Sequence, residues 1–321
     1  MLILLNALLI GLGAITFIQL IYYVFIFGKF SFTKLQTANP KNIPVSVIVC
    51  AKNEAENIQK YIPLLLSQNY PAYELVLIDD ASSDETRDLF EAIEKQHNFV
   101  KLVKVDNNEA FWGNKKYALT LGIKAAKNEY LLFTDADCYP QSQNWIAEMT
   151  AHFTSTKTIV LGYGAYEKVK NSFLNKIIRF ETLLTATQYF AWAKLGKPYM
   201  GVGRNMAYTK EVFKSTNGFK SHYSLMSGDD DLFIQEAAKK RNYTIQLDPD
   251  TFQYSAAKED WESFVLQKSR HYTTSPRYKV FKKAMTAFIS GAVTCNCCPI
   301  PFGFKRKSKF VLLSAALVKF P

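Results

Sequence analysis

Carboxylates carry most of the chemistry open to this chain. The string EYLLFTDADC sets Asp135 and Asp137 two residues apart at the end of an apolar run. Leu131, Leu132 and Phe133 read as a buried strand, because a strand covered on both faces is apolar nearly throughout. Asp135 and Asp137 then stand where that strand leaves its sheet, and open α/β sheets bind ligands beyond such ends. Two hard oxygen ligands there suit Mg2+ or Mn2+ held between protein and phosphate. Taken alone the pair is weak, since Asp is also a common turn former. Two more acidic clusters accompany it: Asp79-Asp80 after the run ELVLI, and Asp229-Asp230-Asp231 before a helical segment. Clustered carboxylates repel, so they need a cation or a donor-rich ligand to sit together. A nucleoside diphosphate with a divalent metal supplies the cation, and Lys115, Lys116, Arg204 and Arg270 are basic groups able to hold phosphates.

The elements that must position these groups follow from periodicity. VSVIVCA from Val45, ELVLIDD, residues 99–105 and EYLLF read as strands. Helical patterns at 54–68, 84–95 and 115–127 separate them, the second with Ser82 or Ser83 able to cap it. Alternation of this kind implies right-handed crossovers and a parallel sheet, an α/β fold. Neither G-x-G-x-x-G nor a Walker loop is present, so phosphate must be held otherwise. Residues 158–166 read as another strand. Residues 172–194 read as a long helix rich in Ile, Leu, Phe and Trp, a core helix or one that lines an acceptor site or lies on a membrane. GDDDLFIQEAAKK reads as an acidic turn entering a helix, with its carboxylates near the positive N-terminal end.

A length of 321 residues allows one large domain or two small ones. The net charge of +11 points to anionic partners. Nucleic acid is not among them, for the chain has no aromatic-basic RNA signature and no zinc-finger spacing. The cysteines are Cys50, Cys138, Cys295, Cys297 and Cys298; their odd number argues for a reducing compartment and against a disulfide framework. Residues 1–27 hold no charge, a run longer than the roughly 20 apolar residues that cross a bilayer. It lacks the basic start and small-residue cleavage site of a signal peptide, so it reads as an anchor. Lys29, Lys34 and Lys41 follow, which by the positive-inside rule keeps the rest of the chain in the cytoplasm. Beyond Trp261 the chain is basic, through Lys268, Arg270, Arg277, Lys279, Lys282 and Lys283. Residues 284–300 are apolar enough for a further membrane-associated segment, and 310–318 are too short to span alone.

AKNEAENI, LIDDASSDET, GNKKYALTLGI, TDAD, GVGRNMAY, SGDDDLF and QKSRH occur in this order, and together they resemble the pattern of family-two glycosyltransferases over residues 45–278. The resemblance implies the GT-A nucleotide-diphospho-sugar transferase fold, a mostly parallel sheet flanked by helices, behind an N-terminal transmembrane helix. It divides the chain into an anchor (1–28), a linker (29–44), a catalytic domain (45–280) and a basic, apolar membrane-associated tail (281–321). Within the catalytic domain, 45–140 form the nucleotide-binding half and 141–280 the acceptor half. The implied activity is inverting transfer of a sugar from a nucleotide-diphosphate sugar, a UDP-sugar by family resemblance. The implied acceptor is a hydroxyl of a glycan or lipid-linked molecule at the cytoplasmic membrane face.

Residue roles follow from the same resemblance. Ala51 and Glu54 correspond to the nucleoside-binding edge, and Asp79 with its neighbour Asp80 to the carboxylate that contacts base or ribose. Asp135 and Asp137 resemble the metal pair for Mg2+ or Mn2+, with Asp137 the direct ligand. Asp229 aligns with the general base of an E-D-x-D-L turn; Gly228 stands in place of the Glu, which leaves Asp230 as the other candidate. QKSRH resembles a Q-x-x-R-W motif, with Arg270 as a diphosphate clamp and His271 in place of Trp, which leaves processivity open. The chemistry agrees: an attacking hydroxyl must lose a proton to a carboxylate, and a leaving diphosphate needs a metal beside it. Two alternatives remain. A phosphatase resembling the haloacid dehalogenase superfamily would use Asp135 as nucleophile and Asp137 as acid, but leaves AKNE and IDDASSD unexplained. An inactive sugar-nucleotide-binding subunit would suit a chain with a lost base, yet every acidic position is present.

Overall fold

The computed structural model describes residues 2–33, 39, 41–106, 115–225, 227–239, 241–272, 274 and 277–278, the side chains of 271 and 272 excepted. Residues 34–38 and 40 of the 29–44 linker, Lys279, Lys282, Lys283 and the tail with its three cysteines lie outside the described residues. By residue contacts the chain divides into two units; the larger spans Leu20–Thr274, and the other includes Leu2–Gln19.

The charge-free start folds as α1 (Leu2–Tyr22), one π-helical turn (Tyr23–Phe27) and α2 (Gly28–Ser31), with no residue of α1 buried. The stretch Leu2–Ser31 is long and apolar enough to cross a membrane.

The alternation expected from the sequence is present: β1 (Val45–Ala51), α3 (Ala55–Leu66), β2 (Tyr73–Asp80), α4 (Thr86–Gln96), β3 (Val100–Val105), α5 (Lys115–Ala125) and β4 (Tyr130–Asp135). After it come β5 (Cys138–Pro140), α6 (Trp145–Thr150), β6 (Ile159–Leu161), β7 (Gly164–Tyr166), α7 (Phe173–Lys194), β8 (Met206–Thr209) and α8 (Lys210–Ser215). The described helices and strands end with α9 (Asp231–Ala237), β9 (Tyr243–Ile245), β10 (Gln253–Ser255) and α10 (Trp261–Tyr272). A seven-stranded sheet runs β3-β2-β1-β4-β8-β6-β9, and a small sheet runs β5-β10-β7. Strands β3, β2, β1 and β4 are mutually parallel; β8 is antiparallel to both β4 and β6, so the large sheet is mixed. The single strand expected at 158–166 is instead two, β6 in the large sheet and β7 in the small one.

Central position explains composition. β1 is flanked on both sides, and its Val45, Val47 and Val49 pack with Ile58, Ile62 and Leu65 of α3 and with Trp145 and Met149 of α6. On the opposite face α5 approaches closely: a Cβ on Gly122 would lie 2.1 Å from Ile78 Cδ1. Register then aligns the carboxyl ends of three neighbouring strands, with Ala51 of β1 opposite Asp79 of β2 and Cys50 opposite Asp135 of β4.

Candidate active site

Two loops beyond β1 and β2 clasp each other. Asn53 adopts φ 57°, and its Oδ1 accepts hydrogen bonds from Ser83 N at 2.7 Å and from Ser83 Oγ. Glu54 N donates to Thr86 Oγ1 at 2.9 Å and Ala55 N to Asp84 Oδ2 at 3.1 Å. Beneath them Asp79 is fully buried. Its carboxylate accepts from Ser82 N at 3.1 Å and from Arg87 Nε at 2.7 Å, so the buried charge is paired. Burial and the charge of Asp79 raise the neighbouring Asp80 above the usual carboxylate range, against the pull of Lys52. Beside this pair lies a hollow of about 370 Å³ bordered by Ala81, Ser82, Ser83, Asp84 and Arg87. Arg87 and Asn53 had no mark in the sequence beyond their places in the helix and loop next to the acidic string.

At the end of β4, Asp135, Asp137 and Cys138 bring their ligand atoms within 4.8 Å of one another. Asp137 is exposed, and Cys138 Sγ donates to its Oδ1 at 3.2 Å. Burial, then the charges of Asp137 and Asp135, hold the Cys138 thiol well above its usual range, so it stays protonated and is no ligand for a hard ion. The two carboxylates fit Mg2+ or Mn2+, which take oxygen donors and keep several positions for water and phosphate. Glu54 accepts from Asn57 Nδ2 at 2.6 Å, and burial together with the charges of Asp137 and Asp135 raises it.

The acidic turn before α9 meets this pair through Lys115. Its ammonium lies 2.6 Å from Asp135 Oδ1 and 3.6 Å from Asp229 Oδ2. Burial pulls Lys115 down, but the carboxylates of Asp135 and Asp229 more than offset it and hold the ammonium well above the usual lysine value. The three aspartates of the turn differ in their tasks. Asp230 caps α9: Oδ1 accepts from Asp231 N at 2.7 Å and Oδ2 from Gly203 N at 2.9 Å. Asp231 accepts from Leu232 N and from Thr274 Oγ1, both at 2.7 Å. Asp229 makes no hydrogen bond to another described residue and faces Lys115. Enclosure, then the like charges of Asp229 and Asp231, push Asp230 up to about 8, against the two backbone N–H groups it accepts. Gly228 has φ 103°, and a Cβ there would lie 2.7 Å from Leu232 Cδ1, so this turn admits no Glu without rebuilding.

The other basic candidates are spent differently. Lys116 is fully buried and donates to Leu225 O at 2.6 Å, propping the segment that leads into the acidic turn. Arg204 donates to Gly164 O at 2.7 Å and Ser255 Oγ at 3.1 Å, with its guanidinium 4.5 Å from the centre of the Tyr166 ring. It stitches β7 to β10. Arg270 is exposed on α10, and the His271 side chain lies outside the described residues. Gln267, from the same motif, donates to Tyr166 Oη at 3.3 Å.

The sequence model described as "Glycosyl transferase family 2" matches residues 46–216, more than half of the chain. The chain belongs to that family. The match takes in Ala51, Asp79, Asp135, Asp137 and Arg204 and ends before Asp229. Membership of that family removes the phosphatase alternative. The poly-beta-1,6-N-acetyl-D-glucosamine synthase of Staphylococcus epidermidis is 35% identical over 119 residues, 36% of this chain and 28% of the synthase. This chain therefore spans well under half the length of that relative. Among solved structures, the mannosyltransferase PcManGT from Pyrobaculum calidifontis, in complex with GDP-Man and Mn2+, has a TM-score of 0.66 at 22% identity, covering 92% of this chain and 83% of that one. The S. aureus TarS 1-349 complex with UDP-GlcNAc gives 0.50 at 19% identity, covering 68% and 60%. The chain thus has the GT-A fold, with a mixed sheet flanked by helices.

Proposed function

We propose that this family-two transferase is an inverting enzyme that moves a sugar from a nucleotide-diphosphate sugar, a UDP-sugar, to a hydroxyl of a glycan or lipid-linked acceptor. We infer that it acts at the cytoplasmic face of a membrane, held by residues 1–28. The observation that carries the reading is the Lys115 bridge, which joins Asp135 of the strand exit to Asp229 of the acidic turn. Structural neighbours that bind GDP-Man and UDP-GlcNAc support a nucleoside diphosphate donor, and a relative named as a polysaccharide synthase supports a glycan acceptor.

In this reading the nucleoside lies along Ala51, Glu54, Asp79 and Asp80, over the clasped loops. Asp135 and Asp137 would hold a Mg2+ or Mn2+ ion, whose charge offsets that building on the leaving diphosphate. Lys115 brings a positive charge to the same point, and Arg270 is the further candidate for a phosphate contact. Asp229 takes the proton from the acceptor hydroxyl as that oxygen attacks the anomeric carbon in line with the departing diphosphate. One displacement inverts the carbon, and no covalent intermediate is required. Asp229 suits this role better than Asp230, whose two oxygens are committed to backbone N–H groups.

A screen of sugar nucleotides by thermal protection and by transfer to glycan acceptors tests the donor. Asp229→Asn should keep the calorimetric affinity for that donor and lose about 10²–10⁴-fold in transfer. Loss of donor binding would remove Asp229 from the base role. Donor binding by the natural chain without any transfer would favour the inactive-subunit alternative.

A further inference from the structure

Most buried hydroxyls are paired, because an unpaired one keeps the full cost of leaving water. Tyr208 in β8 is an exception. Its side chain is fully buried, and among the described residues its Oη meets no hydrogen-bond partner. The ring itself is well held. It stacks on Phe133 with ring centres 4.4 Å apart, and lies 4.6 Å from Phe233 and 6.3 Å from Phe213. Packing therefore explains the ring but not the hydroxyl, since Phe would pack as well. In register Tyr208 is opposite Leu131, yet it stacks on Phe133, so the ring leans along β4 toward the acidic end of that strand.

Tyr208 borders a hollow of about 10 Å³ together with Phe133, Lys115, Asp135 and Asp229. That volume is the least that holds one water, and a buried water needs two to four polar partners. Burial, then the charge of Asp229, holds the phenol well above its usual range, so Oη keeps its proton and can donate. We propose that Tyr208 is a positioning residue for the base, acting through one buried water that accepts from Tyr208 Oη and donates to Asp229. The water's other lone pair and hydrogen suit the Lys115 ammonium and the Asp135 carboxylate. This inference rests on Asp229 as the group that takes the acceptor's proton. Asp229 makes no hydrogen bond to another described residue, and Lys115, at 3.6 Å, is nearer to Asp135. A bound diphosphate competes for that ammonium and would leave Asp229 without a fixed direction. A donor beneath the site keeps one carboxylate oxygen turned inward and the other toward the acceptor hydroxyl. Because this donor is neutral, it lowers the carboxylate's affinity for a proton less than an ammonium in direct contact would.

Tyr208→Phe in the full chain keeps the ring and removes the hydroxyl alone. It should lower kcat about tenfold at an unchanged KM for the sugar nucleotide. In an Asp229→Asn background the same change should cost no more than about twofold, because the two groups act as a unit. A crystal structure of the natural chain should show an ordered water within hydrogen-bond reach of Tyr208 Oη and Asp229, and Tyr208→Phe should lose it. A dry hollow overturns the bridge. If the hydroxyl is only a leftover of packing, its removal leaves kcat unchanged and raises the unfolding temperature, which overturns the proposal. A tenfold loss that persists in the Asp229→Asn background overturns it as well, since the hydroxyl would then act elsewhere. Full transfer by Asp229→Asn removes the base and this role with it, whereas a silent Tyr208→Phe beside an inactive Asp229→Asn leaves the base standing.

Discussion

Asp230 shows how one turn divides work among three like groups. Its carboxyl is pushed up to about 8, against an ordinary aspartate near 3.9. Folding therefore takes up a proton between those values, so the favourable contribution is whole below about pH 4 and is lost as pH rises to about 8. Asp230→Ser keeps an oxygen to cap α9 and removes the titration; the fall in unfolding temperature between pH 5 and pH 8 should become shallower than in the natural chain. An unchanged slope would mean that Asp230 is ionised throughout. Asp137 makes a different prediction, because its exposed carboxylate is the proposed metal ligand. Asp137→Asn should abolish metal-dependent turnover, and turnover that persists in EDTA would remove the metal from the scheme. The strand-end acids were legible as residues because carboxylates after apolar runs stand out. Their connection was not. Lys115 was marked as basic, but nothing local tells it from Lys116, and only the meeting of α5 with the acidic turn separates the bridge from the buried prop. The role of Arg87 as the partner of Asp79 was hidden for the same reason.

Elements of the first half could be read off the chain because each is long enough to show its period. β1, β2 and β4 are near-continuous apolar runs, as parallel strands buried on both faces should be. The second half resisted because β5, β6, β7, β9 and β10 hold three residues each, too few for alternation to register. Their partners are also distant in sequence, as with β6 between β8 and β9. Packing supplies a prediction at this scale. Gly122 lets α5 lie close on β2, and Ile78 fills the space a side chain would need. Gly122→Ala should cost about 1–3 kcal/mol as Ile78 is forced aside. A lowered denaturant midpoint at unchanged slope is the expected reading, and adding Ile78→Val should recover part of the loss. Because α5 begins at Lys115, the same change should also weaken transfer; stability lost with full activity would uncouple helix placement from the site.

At the scale of the whole molecule, the helix able to span a bilayer is the proposed means of attachment. Removing residues 2–19 leaves Tyr22 and Phe30 packed on α7. Such a chain should move partly into the soluble fraction on ultracentrifugation, and high salt should release more of it. A full-length chain found wholly in the soluble fraction would refute the anchor. Sheet order has a consequence for synthesis on the ribosome. Strands β3, β2, β1 and β4 can assemble once residue 135 has emerged, but the neighbour that closes the far side of β4 is β8, whose Met206–Thr209 arrive much later. Until then the nascent protein presents the bare border of Leu131–Phe133 to every other chain nearby, an invitation to edge-to-edge aggregation. Translation speed and chaperone capture between these two points should govern how much active transferase a cell recovers.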